Sequence, residues 1–257
     1  MQRLFLSHDG DPVSAITPEE MLELLRYTVR HGAIGPEELV ESAARSAYSV
    51  IWPMIWKAGP DKPVFVVAGD SYTGAAALAL ARHMANHDVS VDVLHVPGAK
   101  NGSADRQLQA CRLSSCMELD DVPGQLSGYS LVIDALSDII PGSMNELAGT
   151  TVEALQHGGA GPDTDSTSRA FKVVAFEAPA GVDAGTGVAG EHSLQADTSI
   201  AFGLPKTGMG VPAFGSITVA DIGIPRNVYR RQATIAHPCN FRDGFVIPLR
   251  AMNEVGY

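Results

Sequence analysis

Residues 64–74 read Val64-Phe65-Val66-Val67-Ala68-Gly69-Asp70-Ser71-Tyr72-Thr73-Gly74, and an alanine-rich run to Asn86 follows. A short, continuous, β-branched apolar run suits a strand buried on both faces of a parallel sheet. The turn from Gly69 to Gly74 leads into a helix expected from about Ala75 to Asn86. Ser90-Val91-Asp92-Val93-Leu94-His95 is the next strand. Strand, helix and strand make a βαβ unit, whose crossover is right-handed.

The alternation repeats along the chain. A polar helix is expected over residues 103–115, a strand at Leu131-Val132-Ile133-Asp134, a helix over 145–156 and a strand over 172–176. Residues 198–202 and 216–222 also read as strands. Helices between strands throughout indicate an α/β fold, Rossmann-like and doubly wound, with a mostly parallel sheet and helices on both faces. Residues 1–60 read as helical. Thr17-Pro18-Glu19-Glu20 offers a hydroxyl cap, a first-turn proline and acids at the positive end of the helix dipole, and Gly35-Pro36-Glu37-Glu38 is a second start. No repeat and no second core are visible. One domain over 1–257 is expected, with a helical part at 1–60 and a Rossmann-like core at 61–257. The Gly-, Asp- and Ser-rich stretch over 156–169 reads as a surface loop.

The chain has 257 residues, of which 45% are apolar and 18% charged, a globular balance that excludes a disordered chain. Its net charge of −11 is the wrong sign for a nucleic-acid binder that uses its whole surface. No run reaches the ~18 apolar residues of a membrane span, and the first residues lack an apolar signal core. A cytoplasmic protein without a membrane partner is expected. Cys111, Cys116 and Cys239 form no CxxC pair and read as free thiols.

Ligands of open parallel sheets gather at the carboxyl ends of the strands. The loop Gly69–Gly74 stands at one such end. It is neither G-x-G-x-x-G nor a P-loop, so it reads either as a ligand loop or as an ordinary strand-to-helix turn. Asp134 ends the third strand and Glu177 the fourth. A carboxylate there is costly unless water, a cation or backbone donors meet it. Two carboxyls at neighbouring strand ends can raise one another's pKa and act as general acid or base, or hold a cation. Catalytic candidates are therefore Glu177 and Asp134. Ligand-binding candidates are Gly69, Asp70, Ser71, Tyr72, Thr73, Gly74, Asp138 and Lys206, the last facing either the cleft or solvent. Asp183 fits an Asx turn over the glycines that follow. His83 and His87 are four apart on one helix, yet no third ligand is near, which favours a solvated face.

Six collinear segments resemble the YjeF N-terminal domain, the fold of NAD(P)HX epimerases. Leu39-Val40-Glu41-Ser42-Ala43-Ala44-Arg45 is similar to L-M-E-N-A-G-R. Val64–Gly74 with Ala81-Arg82-His83-Met84 is similar to the family's strand, N-N-G-G-D-G loop and A-R-H-L helix. Val132–Leu136 resembles V-D-A-L, and Phe176–Gly187 resembles D-I-P-S-G-V-D-A-D-T-G. Ala196–Thr207 and Val219–Pro225 complete the series. The resemblance implies a small-molecule ligand, the hydrated dinucleotide NADHX or NADPHX, inversion of its 6-hydroxyl, and a potassium ion. The family's loop falls on Tyr72-Thr73-Gly74-Ala75-Ala76-Ala77, so only Gly74 is kept. The potassium ligands would be Thr73, in place of asparagine, and Asp134, while the family's serine is Ala180 and its pocket aspartate is Glu177. The implied enzyme is a divergent isomerase- or cyclase-type protein that moves a proton in a remodelled pocket. Arg82–Val89 and Gly244–Leu249 are also similar to the YjeF-type domain of the mRNA-decapping enhancer scaffold. That likeness implies the alternative, a non-catalytic homodimeric binding module with RNA as a less favoured partner.

Overall fold

A computed structural model describes residues 4–32, 34–98, 102–138, 146–157 and 171–252. The strands are β1 (Leu4–Ser7), β2 (Pro12–Ser14), β3 (Val64–Gly69), β4 (Val91–Val96), β5 (Met117–Leu119), β6 (Leu131–Ala135), β7 (Lys172–Phe176), β8 (Thr198–Phe202), β9 (Ser216–Ala220) and β10 (Val246–Ala251). The helices are α1 (Pro18–Arg30), α2 (Pro36–Ala58), α3 (Tyr72–Ala85), α4 (Gly102–Arg112), α5 (Glu146–His157) and α6 (Arg226–Tyr229). The strands form one sheet in the order β2-β1-β10-β9-β8-β7-β6-β3-β4-β5. From β9 to β5 every pairing is parallel, and β10, β1 and β2 extend that edge antiparallel. The α/β, Rossmann-like, mostly parallel sheet read from the sequence is present. Most of the 156–169 stretch lies outside the described residues.

The reading of residues 1–60 as helical needs correction. α1 and α2 are there, but Leu4–Ser14 is a hairpin on the sheet edge. Its turn is closed by Ser7 N–H to the Asp11 carbonyl at 2.9 Å, with Gly10 at φ 87°. Phe5 and Val13 pair across the hairpin and are buried. That burial secures two strands too short to stand alone. α3 begins three residues earlier than the alanine run suggests, because the Ser71 hydroxyl accepts from the Gly74 N–H at 2.9 Å and caps the helix. α1 starts where expected, on a full capping box between Thr17 and Glu20.

Two apolar clusters cover the two sheet faces. Val64, Val66, Ile133, Val174 and Phe176 point to one, packed by α2 and α3. Phe65, Val67, Val132, Val173 and Ala175 point to the other, with Val152 and Leu155 of α5. Chain order leaves β3 for β4 and β5 on one side and resumes with β6 on the other. The carboxyl ends of β3 and β6 therefore bracket a topological switch point, where an open α/β sheet has its crevice.

Candidate functional site

The loop after β3 is bound into the fold at almost every residue. A Cβ on Gly74 would overlap the Gly69 carbonyl oxygen, and one on Gly69 would lie 3.1 Å from the Leu136 carbonyl. These glycines let α3 and the loop after β6 approach β3 closely. Asp70 Oδ1 lies 2.7 Å from His95 Nε2 at the end of β4, and its Oδ2 accepts from the Gly98 N–H at 2.9 Å. The Thr73 hydroxyl lies 2.7 Å from Ser71 Oγ and donates to the Ser137 carbonyl. Asp138, one residue further, is exposed.

Asp134 is fully buried. Its Oδ2 accepts from the Ala180 N–H at 2.7 Å and its Oδ1 from the Leu136 N–H at 3.2 Å. Burial pushes its carboxyl up to about 6 against the pull of these two donors. Glu177 is also fully buried, but its partners differ. Its Oε1 accepts from the Phe202 N–H at 3.1 Å, and its Oε2 lies 2.6 Å from Lys206 Nζ. Lys206, itself without solvent exposure, donates to the carbonyls of Phe202 at 3.1 Å and Leu204 at 3.0 Å. All three ammonium protons are thereby directed. Burial raises the Glu177 carboxyl, opposed by Lys206; burial lowers the Lys206 ammonium, opposed by Glu177. Lys206 faces a carboxylate inside the protein, so of the two orientations left open by the sequence the solvent one is excluded.

Around this pair stand Tyr72, a candidate already from the sequence, and aromatic groups the sequence did not single out. The Phe202 ring meets Phe176 edge-on at 5.2 Å and Tyr72 at 6.5 Å. The hydroxyls of Tyr72 and Tyr229 are buried with no hydrogen-bond partner among the described residues. Burial raises the Tyr72 phenol well above its usual value, and Glu177 adds to this. Tyr229 comes from α6, about fifty residues beyond Glu177, and no sequence signal places it here. Two neighbouring orphan hydroxyls, one of them beside the ion pair, mark a spot prepared to hydrogen-bond a guest or ordered water.

Asp134 and Glu177 do not set one another's charge: burial dominates each, and the nearby acid acting on Glu177 is Asp138. Glu177 has φ 62°, a region that costs an L-residue about 1–2 kcal/mol. His83 pairs with Glu41 at 2.9 Å and His87 with Tyr48 at 2.7 Å, so they share no ligand. Asp183 Oδ1 accepts from the N–H groups of Gly185 at 2.9 Å and Thr186 at 2.7 Å, an Asx turn.

The residues present do not fit the potassium ion that the resemblance implies. Ala180 has no side-chain oxygen, the Thr73 hydroxyl is committed to Ser71 and Ser137, and both Asp134 oxygens accept backbone N–H groups. Hard cations need several convergent oxygens.

The family model described as YjeF-related protein N-terminus matches residues 36–208. A protein of Dehalogenimonas lykanthroporepellens named NAD(P)H-hydrate epimerase is 26% identical over 253 residues, 97% of this chain and 98% of that one. One of the same name from Weissella koreensis is 30% identical, covering 82% and 91%. The bifunctional NAD(P)H-hydrate repair enzyme Nnr of Thermanaerovibrio acidaminovorans is 32% identical over 83% of this chain but 41% of its own length. Among solved structures, the yeast protein YNL200c superposes with a TM-score of 0.76 at 16% identity, covering 91% of this chain and 99% of that one.

Proposed function

The chain belongs to the family of YjeF-related protein N-termini, and from that premise we propose that it is an epimerase-type enzyme acting on a hydrated nicotinamide dinucleotide, with Glu177 as its proton-transfer group. The observation that carries the reading is the buried pair of Glu177 and Lys206 at the carboxyl edge of the sheet, with the unpartnered hydroxyl of Tyr72 beside Glu177 and that of Tyr229 beyond it. Relatives named as epimerases cover 97% and 82% of the chain. Inverting a carbon that bears a hydroxyl beside a ring nitrogen needs a proton delivered to the departing oxygen. It needs a proton taken from the water that returns on the other face. Glu177 can give and take that proton, because burial holds its carboxyl above the usual range. Lys206 holds it in place and stabilises the carboxylate each time it forms. Both groups are sealed from solvent, so the packing around them must open for substrate.

The test is epimerisation of R-NADPHX to the S form by the purified protein and by Glu177→Gln, with the variant's folding checked first by circular dichroism. Turnover falling by ~10²-fold or more in a folded variant is the expected result. A wild-type rate no faster than spontaneous inversion would remove the activity from this chain. Equal rates in both proteins would remove Glu177 from the mechanism.

A further inference from the structure

Cys111 lies in the last turn of α4, and Cys116 follows the turn that ends it. Ser115 adopts φ 62°, the Ser114 N–H donates to the Cys111 carbonyl at 2.9 Å, and the Cys116 N–H reaches the same carbonyl at 3.4 Å. A bond of this span, closing over a left-handed residue, is the Schellman stop of a helix, and it sets the side chains at its two ends against each other. Here both ends are thiols, and each acts on the other's ionisation. A disulfide needs Cα atoms within ~7 Å, and the backbone bond from the Cys116 N–H to the Cys111 carbonyl brings the pair to that reach. The two are not equivalent. Cys111 is buried and its Sγ donates to the Leu78 carbonyl of α3 at 3.0 Å. Cys116 is half-buried, beside the Arg82 guanidinium.

We propose that Cys111 and Cys116 form a peroxide-reactive dithiol that cycles between two thiols and an intramolecular disulfide, with Cys116 attacking and Cys111 resolving. The neighbouring Cys111 sulfur lowers the Cys116 thiol against the effect of burial, and the positive charge of Arg82 lowers it further, which favours the attacking thiolate. The Cys116 thiolate attacks one peroxide oxygen. An S–O bond forms, the O–O bond breaks, and the departing hydroxide takes a proton to become water. The Cys111 sulfur then attacks the Cys116 sulfur. An S–S bond forms, the S–O bond breaks, and a second water leaves. Two electrons pass from the thiols to the peroxide, and a small thiol reductant returns them. Oxidation also withdraws from α3 the donor that Cys111 gives to Leu78.

The test uses the whole reduced protein, a slight excess of hydrogen peroxide, alkylation of the remaining thiols, and mass spectrometry before and after trypsin. The expected product has lost two hydrogens, leaves only Cys239 to alkylate, and joins the peptide Gln107–Arg112 to the one beginning at Leu113. A thiol reductant reverses it. Cys239→Ser leaves the product unchanged. Cys111→Ser stops at a sulfenic acid on Cys116, trapped by dimedone. Cys116→Ser forms no disulfide and consumes peroxide at least about tenfold more slowly. A disulfide through Cys239 or between chains overturns the proposal. So do a sulfinic acid on Cys116 without hydrogen loss, and three thiols left free to alkylate.

Discussion

Replacing Asp134 by Asn tests whether its carboxyl is as isolated from water as its burial requires. In the native protein the group keeps its proton up to about 6, against 3.8 for a free side chain. Between those values the folded chain binds more proton than the unfolded one, so stability is fully present below the unfolded pKa and is lost as pH rises through the folded pKa. At ~1.36 kcal/mol per unit, the whole loss is about 3 kcal/mol, of which about 2 kcal/mol falls between pH 4 and pH 7.5. Asn carries no titration. It does place an amide donor where the Ala180 and Leu136 N–H groups need acceptors, which costs about 1–3 kcal/mol at every pH. The pH-dependent part of the difference between the two proteins therefore isolates the carboxyl. The assay is urea unfolding of both chains across that range, in potassium-free buffer, since a bound cation would itself lower the carboxyl. The variant is expected to gain about 2 kcal/mol on wild type as pH rises. A difference flat to within about 0.5 kcal/mol would mean that water reaches Asp134 and that burial does not govern it.

Two more perturbations probe the same edge of the sheet. Glu177→Gln leaves the Lys206 ammonium buried and uncompensated, and Lys206→Met does the same to the carboxylate. Each is expected to cost about 3–5 kcal/mol in denaturant unfolding, whereas the double substitution recovers most of that loss; additive losses would mean that the two charges do not act as a pair. Gly74→Ala drives a Cβ into the Gly69 carbonyl oxygen. With backbone on both sides, α3 must move off β3, and a melting temperature lower by ~6 °C is expected for about 3 kcal/mol lost in a chain of this size. An unchanged melting temperature would show that the contact can relax.

The sheet was legible because its central strands announce themselves. Val64–Ala68, Leu131–Ile133 and Lys172–Phe176 are short, continuous and largely β-branched, and the segments between them carry helix starts. The edge was not. β1 and β2 have four and three residues, and β1 takes its partner Leu249–Ala251 from the far end of the chain. Nothing local distinguishes such a segment from a loop. Lys206 could not be placed for a similar reason. Its burial depends on Glu177 of another strand end, on the carbonyls of Phe202 and Leu204, and on the bridge from Ile16.

The arrangement of the two carboxyls shows where a strand-by-strand reading stops. Asp134 is paired with Ala175, and both stand on the sheet face of Val132 and Val173. Side chains alternate with period two, so Glu177, two residues after Ala175, should follow onto that face and lie near Asp134. Its φ of 62° breaks the alternation. The carboxyl turns to the opposite face, where Tyr72, Phe202 and Phe176 pack with α2 and α3. Glutamate gives no warning of such a turn, because glycine, asparagine and aspartate are the residues that usually enter it. What holds the turn is tertiary: the Glu177 N–H to the Ile200 carbonyl at 2.9 Å, the Phe202 N–H on one oxygen and Lys206 on the other. Strain held by three contacts from one neighbouring segment orients the Glu177 carboxyl toward Lys206 rather than toward Asp134. The partner that the fold gives the Glu177 carboxyl is thus an ammonium, not a second carboxyl.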